Sequence, residues 1–288
     1  MTRTHRPSPV RTVLGFFMLA GALSLCPPAA TAQDGQRPTA QPAQPPRAAA
    51  RPKPPRRSVF SAEVGMQPTG HDLTDTATFS ENGEQGSLSA FSQGTGGLAI
   101  HVAAGTSVWR TLGIRVGVTY SAADQPATFT RSSPHPFFFS RPRTVSGELG
   151  AQAQTETGIH IGARVPFVLD KAKRWQGAVF GGPSLVHVSR ELLEDVPFIE
   201  AYPYDTVTAG VAQLARGSGS AVSGHAGAEL FWVWKAQASR TGKTQTQVGV
   251  GGGVLVAPAT VTLQGVRGQD VEVQAGGVIV SAGLHLRF

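Results

Sequence analysis

A period of two runs through this chain from residue 58 to its C-terminus, and no other feature constrains the fold as strongly. Successive side chains of a strand point to opposite faces, so apolar residues at every second position give a strand one apolar and one polar face. Eight stretches read this way. The first is Phe60, Ala62, Val64 and Met66; the second Leu98, Ile100, Val102 and Ala104; the third Leu112, Ile114, Val116, Val118 and Tyr120. The fourth is Leu149, Ala151, Ala153, Ile159, Ile161, Ala163 and Val165. In the fifth, Ala178, Phe180, Val186 and Val188 oppose Gly181, His187 and Ser189. The sixth holds Val222, Ala226, Ala228, Leu230, Trp232 and Trp234, and the seventh Val248, Val250, Val254 and Val256. The eighth holds Val278, Val280, Leu284, Leu286 and Phe288.

The opposite faces carry glycine, small polar groups and isolated charges. Glu63, Glu156 and Glu229 balance Arg115, Arg164 and Arg287 at mid-strand. Such charges are tolerable if they pair inside a closed barrel whose apolar face is outside. A narrow lumen also favours glycine on that face. No apolar run reaches the ~20 residues of a membrane helix, so a span has to be a closed barrel. The fold predicted is all-β: an eight-stranded antiparallel up-and-down transmembrane β-barrel over residues 58–288. Of the ten prolines after residue 57, only Pro183 falls inside a strand, which predicts a bulge or local break there.

The charge balance supports this division of the chain. The net +7 resolves into +3 for residues 1–32, +5 for residues 33–57 and −1 for the rest. A basic nucleic-acid-binding domain is therefore excluded. Residues 1–32 read as a signal peptide: three arginines, an apolar run to Leu25, then Ala30-Thr31-Ala32. Residues 33–57, with seven prolines and six basic residues, read as a disordered basic Pro/Ala-rich linker. Its plain role is a solvated periplasmic spacer; its sharper role is a tether to peptidoglycan or anionic headgroups.

The final residues Ser281, Gly283, Leu286 and Phe288 follow the pattern polar, any, Gly, two of any, apolar, any, terminal aromatic. This resembles the C-terminal signal of bacterial outer-membrane barrels, and the chain resembles the small OmpA/OmpX-like barrel class. The loop strings Pro134-His-Pro-Phe-Phe-Phe139 and Ala201-Tyr-Pro-Tyr-Asp-Thr206 are similar to those of uncharacterised acidobacterial outer-membrane barrel proteins. The resemblance implies a bacterial outer-membrane location, outer-membrane lipid as surroundings and recognition by the barrel-assembly machinery. It implies no activity.

An even strand number puts both termini in the periplasm. Residues 105–111, 166–175 and 235–246 then become periplasmic turns, and residues 68–95, 121–147, 190–217 and 258–272 outer loops. Trp109, Trp175, Trp232 and Trp234, with Phe60, Phe167 and Phe288, form one aromatic girdle; Tyr120 and Phe91 mark the other.

Candidate functional residues fall into two groups. The first is a lumen network of Glu63, Arg115, Glu156, His160, Arg164, His225, Glu229, His285 and Arg287, with His101 and His187 also facing in. Because first and last strands meet, Glu63 should approach Arg287 or His285. Arg115 should pair with a carboxylate of the fourth strand, Glu156 being the candidate. The second group is an aromatic loop set, Phe137, Phe138, Phe139, Phe198, Tyr202 and Tyr204, either a cap over the barrel mouth or a contact surface. No metal, cofactor or catalytic residue is expected. An enzyme with Ser, His and a carboxylate on the outer wall needs an outward histidine, and the alternation predicts none. A rim enzyme would draw on His71, Asp72, Asp75 and His135. The reading favoured is a non-enzymatic barrel with a structural or surface-interaction role. A narrow pore is the alternative, and a rim enzyme comes third.

Overall fold

The computed structural model describes residues 58–68, 70–109, 111–238, 245–264 and 270–288. The stretches read as signal peptide and linker, and part of the turn 235–246, lie outside the described residues. All described residues belong to one compact unit, Lys53–Phe288.

Fourteen strands follow one another: β1 (Ser58–Gln67), β2 (Leu73–Glu81), β3 (Glu84–Ser92), β4 (Gly97–Ser107), β5 (Gly113–Ser133), β6 (Arg143–Val168), β7 (Trp175–Asp195), β8 (Phe198–Glu200), β9 (Val207–Ala209), β10 (Gln213–Ala238), β11 (Gln245–Val256), β12 (Ala259–Gln264), β13 (Asp270–Ala275) and β14 (Val278–Arg287). Eight of them close a ring of antiparallel neighbours, β1-β4-β5-β6-β7-β10-β11-β14, sealed by the pairing of β14 back onto β1. A lateral row begun at Ser58 runs through Thr106, Ile114, Ala163, Gly181, Ala226 and Val256 to Val278. It then returns to the far end of β1, a stagger of about ten residues that tilts the strands by roughly 45° to the axis.

The ring has an apolar outside. Val102, Val118, Ile161, Leu185, Val250 and Leu284 are all exposed on its outer wall. Their inward neighbours His101, Thr119, His160, Ser184 and His285 are buried. This polarity suits hydrocarbon outside and a hydrogen-bonded interior. Trp175, Trp234, Phe60 and Phe288 are exposed at the end that carries the short turns. On β7, Trp175 and Leu185 lie ten residues apart, about 24 Å along the axis at this tilt, the height of a hydrocarbon belt.

Beyond that belt the wall continues. Most of the connections read as long loops are strand extensions. β5, β6, β7 and β10 run 21 to 26 residues. The β2–β3 hairpin adds to the upper part of β5, and the β12–β13 hairpin folds against β7 and β10. Water replaces lipid outside this extension, so apolar groups turn inward. Leu88, Ala90, Phe129, Leu193 and Val196 form one core there. Val261, Leu263 and Val273 of the hairpin pack on Val186, Val188 and Leu192 to form another.

The reading of the fifth stretch is overturned over its whole length, because β7 carries apolar residues on its inner face. Val186 and Val188 point inward and are buried, whereas Leu185 and His187 face outward. Lower on β7, Ala178 and Phe180 also point inward. Phe180 joins Ala99, Leu255, Ala257 and Ile279 in an apolar cluster inside the ring. Pro183 causes a break rather than a bulge. The β6–β7 ladder omits the pairs of Ile161 and Gly162, then resumes in the same register. The missing donor is accommodated by close backbone approach, since a Cβ on Gly182 would lie 2.3 Å from the Ile161 carbonyl oxygen.

Candidate functional site

The lumen is assembled from inward positions of all eight ring strands. Near the short-turn end, Arg287 donates to Gln176 Oε1, and Gln176 Nε2 donates to Gln247 Oε1 at 3.1 Å. Higher up, Glu229 is the hub. It accepts two hydrogen bonds from Arg164, at 3.0 and 2.7 Å, and one from Arg115 at 3.2 Å. The Arg115 guanidinium lies 3.7 Å from the centre of the Phe180 ring. Glu63 accepts from Ser281 and stands 3.6 Å from His101 and 3.4 Å from His285. His285 stacks on Phe231 with centroids 4.6 Å apart.

A second chain of polar groups links four strands, β5, β6, β7 and β10. Thr119 Oγ1 meets His160 Nε2 at 2.9 Å, His160 Nδ1 meets Ser184 Oγ at 2.7 Å, and Ser184 Oγ meets His225 Nδ1 at 2.9 Å. Above it, Arg190 donates to Gln154, Gln154 donates to Glu156, and Glu156 accepts the Gly276 N–H at 2.8 Å. Gln67 donates to the Gly276 carbonyl. These bonds fasten the base of the β12–β13 hairpin inside the wall. At this height, above the apolar belt, burial pulls the Arg190 guanidinium down to about 10, opposed by the nearby Glu156 charge.

The nine lumen residues singled out from sequence are thus all directed inward; the expected seam contact of Glu63 forms, and the expected partner of Arg115 does not. Glu63 meets His285 and not Arg287, because Arg287 sits two positions further along β14 and turns to Gln176. Arg115 pairs with Glu229 of β10 rather than with Glu156, which lies nearer the mouth with Gln154 and Gly276. Alternation assigns a face to each residue but leaves its height unset, and the stagger decides which charges share a level. His187 is a further correction: it faces outward and contacts Ser220.

Glu63, Glu229 and His285 each bring one potential ligand atom within 4.8 Å of the others. Both Glu229 oxygens already bind guanidinium groups. A dication there would add positive charge beside Arg115 and Arg164 in a dry wall, so the trio is better suited to ion pairing.

The outer aromatic set divides. Phe137, Phe138, Phe139 and Tyr202 are exposed, Phe139 at 80% and Tyr202 at 85%. Tyr204 is half-buried, with its ring 5.5 Å from Phe137. Phe198 departs from the surface reading, for it sits under two guanidiniums, Arg131 at 4.7 Å and Arg143 at 5.8 Å. Sequence reasoning missed these two arginines. Arg131 also binds Asp195 at 2.9 Å, and Arg143 binds Glu200. Their alternating inward positions on β5 and β6 were the available signal. Of the rim set, Asp72 accepts the Gly94 N–H, and His135 lies 3.8 Å from Asp205.

No family model matches the chain, and no curated protein does. Among solved structures it is similar to the outer membrane protein OprG of Pseudomonas aeruginosa, at 8% identity over 81% of this chain and 95% of that one, TM-score 0.39. It is also similar to Neisserial surface protein A, at 9% identity over 81% and 96%, TM-score 0.38. A third is the outer membrane protease OmpT of Escherichia coli, at 9% identity over 80% and 97%, TM-score 0.36. The chain's own ring closure and outward apolar belt define its class, an eight-stranded membrane-type β-barrel with a filled interior.

Proposed function

We propose that this protein is a bacterial outer-membrane barrel that conducts nothing and acts through its outer end, in a structural or surface-interaction role. Both termini then lie in the periplasm, and the long hairpins face outward from the cell. The observation that carries this reading is the filled lumen. The Arg115–Glu229–Arg164 cluster, the Thr119–His160–Ser184–His225 chain and the fastened β12–β13 hairpin occupy successive heights of one narrow ring. The exposed Phe137, Phe138, Phe139 and Tyr202 supply an apolar contact surface at the tip. Planar-bilayer recording of the full chain tests the closed lumen. Silence is the expected result, and a steady ohmic conductance would favour the pore reading.

A further inference from the structure

The outer wall of β6, β7 and β10 changes polarity over four successive lateral rows. Ile159, Leu185 and Val222 form an apolar row, with Val222 78% exposed. The next row is Thr157, His187 and Ser220; the one above it is Thr155, Ser189 and Ser218; the last pairs Glu191 with Arg216. On β7, His187 lies twelve residues beyond Trp175, about 29 Å along the tilted axis, so its row stands just past the hydrocarbon belt. An ester carbonyl of a membrane amphiphile lies at this depth. In that row His187 Nδ1 and Ser220 Oγ are 2.9 Å apart, and both side chains are exposed.

We propose that Ser220 and His187 are a nucleophile–base pair that hydrolyses carboxylic esters of amphiphiles packed against this wall. The substrate class rests on the proposed membrane setting. His187 Nδ1 takes the Ser220 hydroxyl proton as Oγ attacks the ester carbonyl carbon. The tetrahedral species collapses by breaking the carbon–alkoxy bond, and His187 returns the proton to the departing alcohol. Water then attacks the acyl-serine, giving its proton to His187. The carbon–Oγ bond breaks, a fatty acid leaves, and Ser220 regains its proton. β11 pairs with β10 only from Ala226 downward. Above that point the β12–β13 hairpin packs against β10, with the Thr262 carbonyl beside Gly219, so the developing oxyanion on the outer wall is met by interfacial water. The Leu185–Val222–Ile159 row gives the acyl chain an apolar surface directly below the pair. No described carboxylate is bonded to His187, so turnover is slow and covalent labelling is the sensitive readout.

The test uses the full chain folded in detergent and in phospholipid vesicles, with heat-modifiable gel migration as the measure of folding. A fluorophosphonate probe should label the wild type. Ser220→Ala should abolish labelling, His187→Gln should lower its rate at least 100-fold, and Ser218→Ala should leave it unchanged. All variants should keep heat-modifiable migration. Hydrolysis of a fluorogenic phospholipid in the vesicles should follow the same order. Absent labelling of folded protein, or labelling that survives Ser220→Ala, would overturn the pair. Hydrolysis of a short soluble ester alone would overturn the amphiphile as substrate. Wild-type protein without heat-modifiable migration in vesicles would overturn the membrane reading itself.

Discussion

Replacing Glu229 by alanine leaves two guanidinium groups inside the barrel wall without their counter-ion. The Glu229 side chain is 2% exposed, Arg115 6% and Arg164 10%. Each contact at about 3 Å represents roughly 5 kcal/mol of attraction at an effective dielectric of 20, most of it offset by the desolvation of both charges. Truncating one partner removes the attraction and keeps the desolvation cost of the other two, a loss of about 3–5 kcal/mol. Glu229→Gln keeps the shape and one strong acceptor but loses the charge, so it should cost less than alanine. A triple change, Arg115→Met with Arg164→Met and Glu229→Met, removes donors and acceptor together and should lie within about 2 kcal/mol of the wild type. Urea unfolding in lipid vesicles, followed by tryptophan fluorescence and gel migration, measures all three. The reasoning fails if Glu229→Ala is within about 0.5 kcal/mol of the wild type, a change typical of surface sites. It also fails if the triple variant is as unstable as its single members combined.

Four further outcomes follow from other parts of the molecule. Leu263→Ala, at a fully buried hairpin position packed on the β7 wall, should cost about 2–5 kcal/mol and loosen the mouth, seen as faster amide exchange over β12 and β13. Gly283→Val should block folding at the seam, because a Cβ there would lie 2.1 Å from the Ala62 carbonyl oxygen; gel migration reads this directly. Arg131→Ala should expose the tip segment around Phe198 to protease while the ring keeps its heat-modifiable migration. Asp75, on the β2–β3 hairpin, has its pKa raised by burial, against a backbone hydrogen bond from Thr76. A raised carboxyl pKa stabilises the hairpin below the unfolded value and loses that contribution as pH rises through the folded value. With the intrinsic pH dependence of amide exchange divided out, protection of the hairpin should therefore be lower at pH 7 than at acid pH in the wild type, and Asp75→Asn should remove the difference.

The ring strands were legible because lipid outside and polar groups inside impose one alternation over ten or so residues, as from Leu112 to Tyr120. The extension was not, because the same strand passes into water and the meaning of an apolar residue inverts. β7 keeps one parity throughout, but its inner face is apolar at Ala178, Phe180, Val186 and Val188 while Val179 and Leu185 are apolar on the outer face, so alternation alone does not say which side is in. His187 was misassigned because the apolar inner face of β7 was taken for the outer one, and with it the contact with Ser220 was missed. The lumen charges were legible by face, since isolated Glu and Arg opposite an apolar row have nowhere else to go. Their pairing depended on a stagger of about ten residues that no single strand contains. The arginine clamps on Phe198 depended on a non-local approach of β8 to β5 and β6.

The account turns on which side of β7 meets lipid. Cys26 is the chain's only cysteine. With Cys26 replaced, single cysteines at Leu185 and Val186 can carry a spin label in phospholipid vesicles, and the label's relaxation by oxygen dissolved in the bilayer reports its surroundings. The structure predicts strong relaxation for a label at position 185 and protection for one at position 186. Protection at 185 with strong relaxation at 186 would contradict the apolar-outward ring, the hairpin-filled mouth and the outward placement of His187 together.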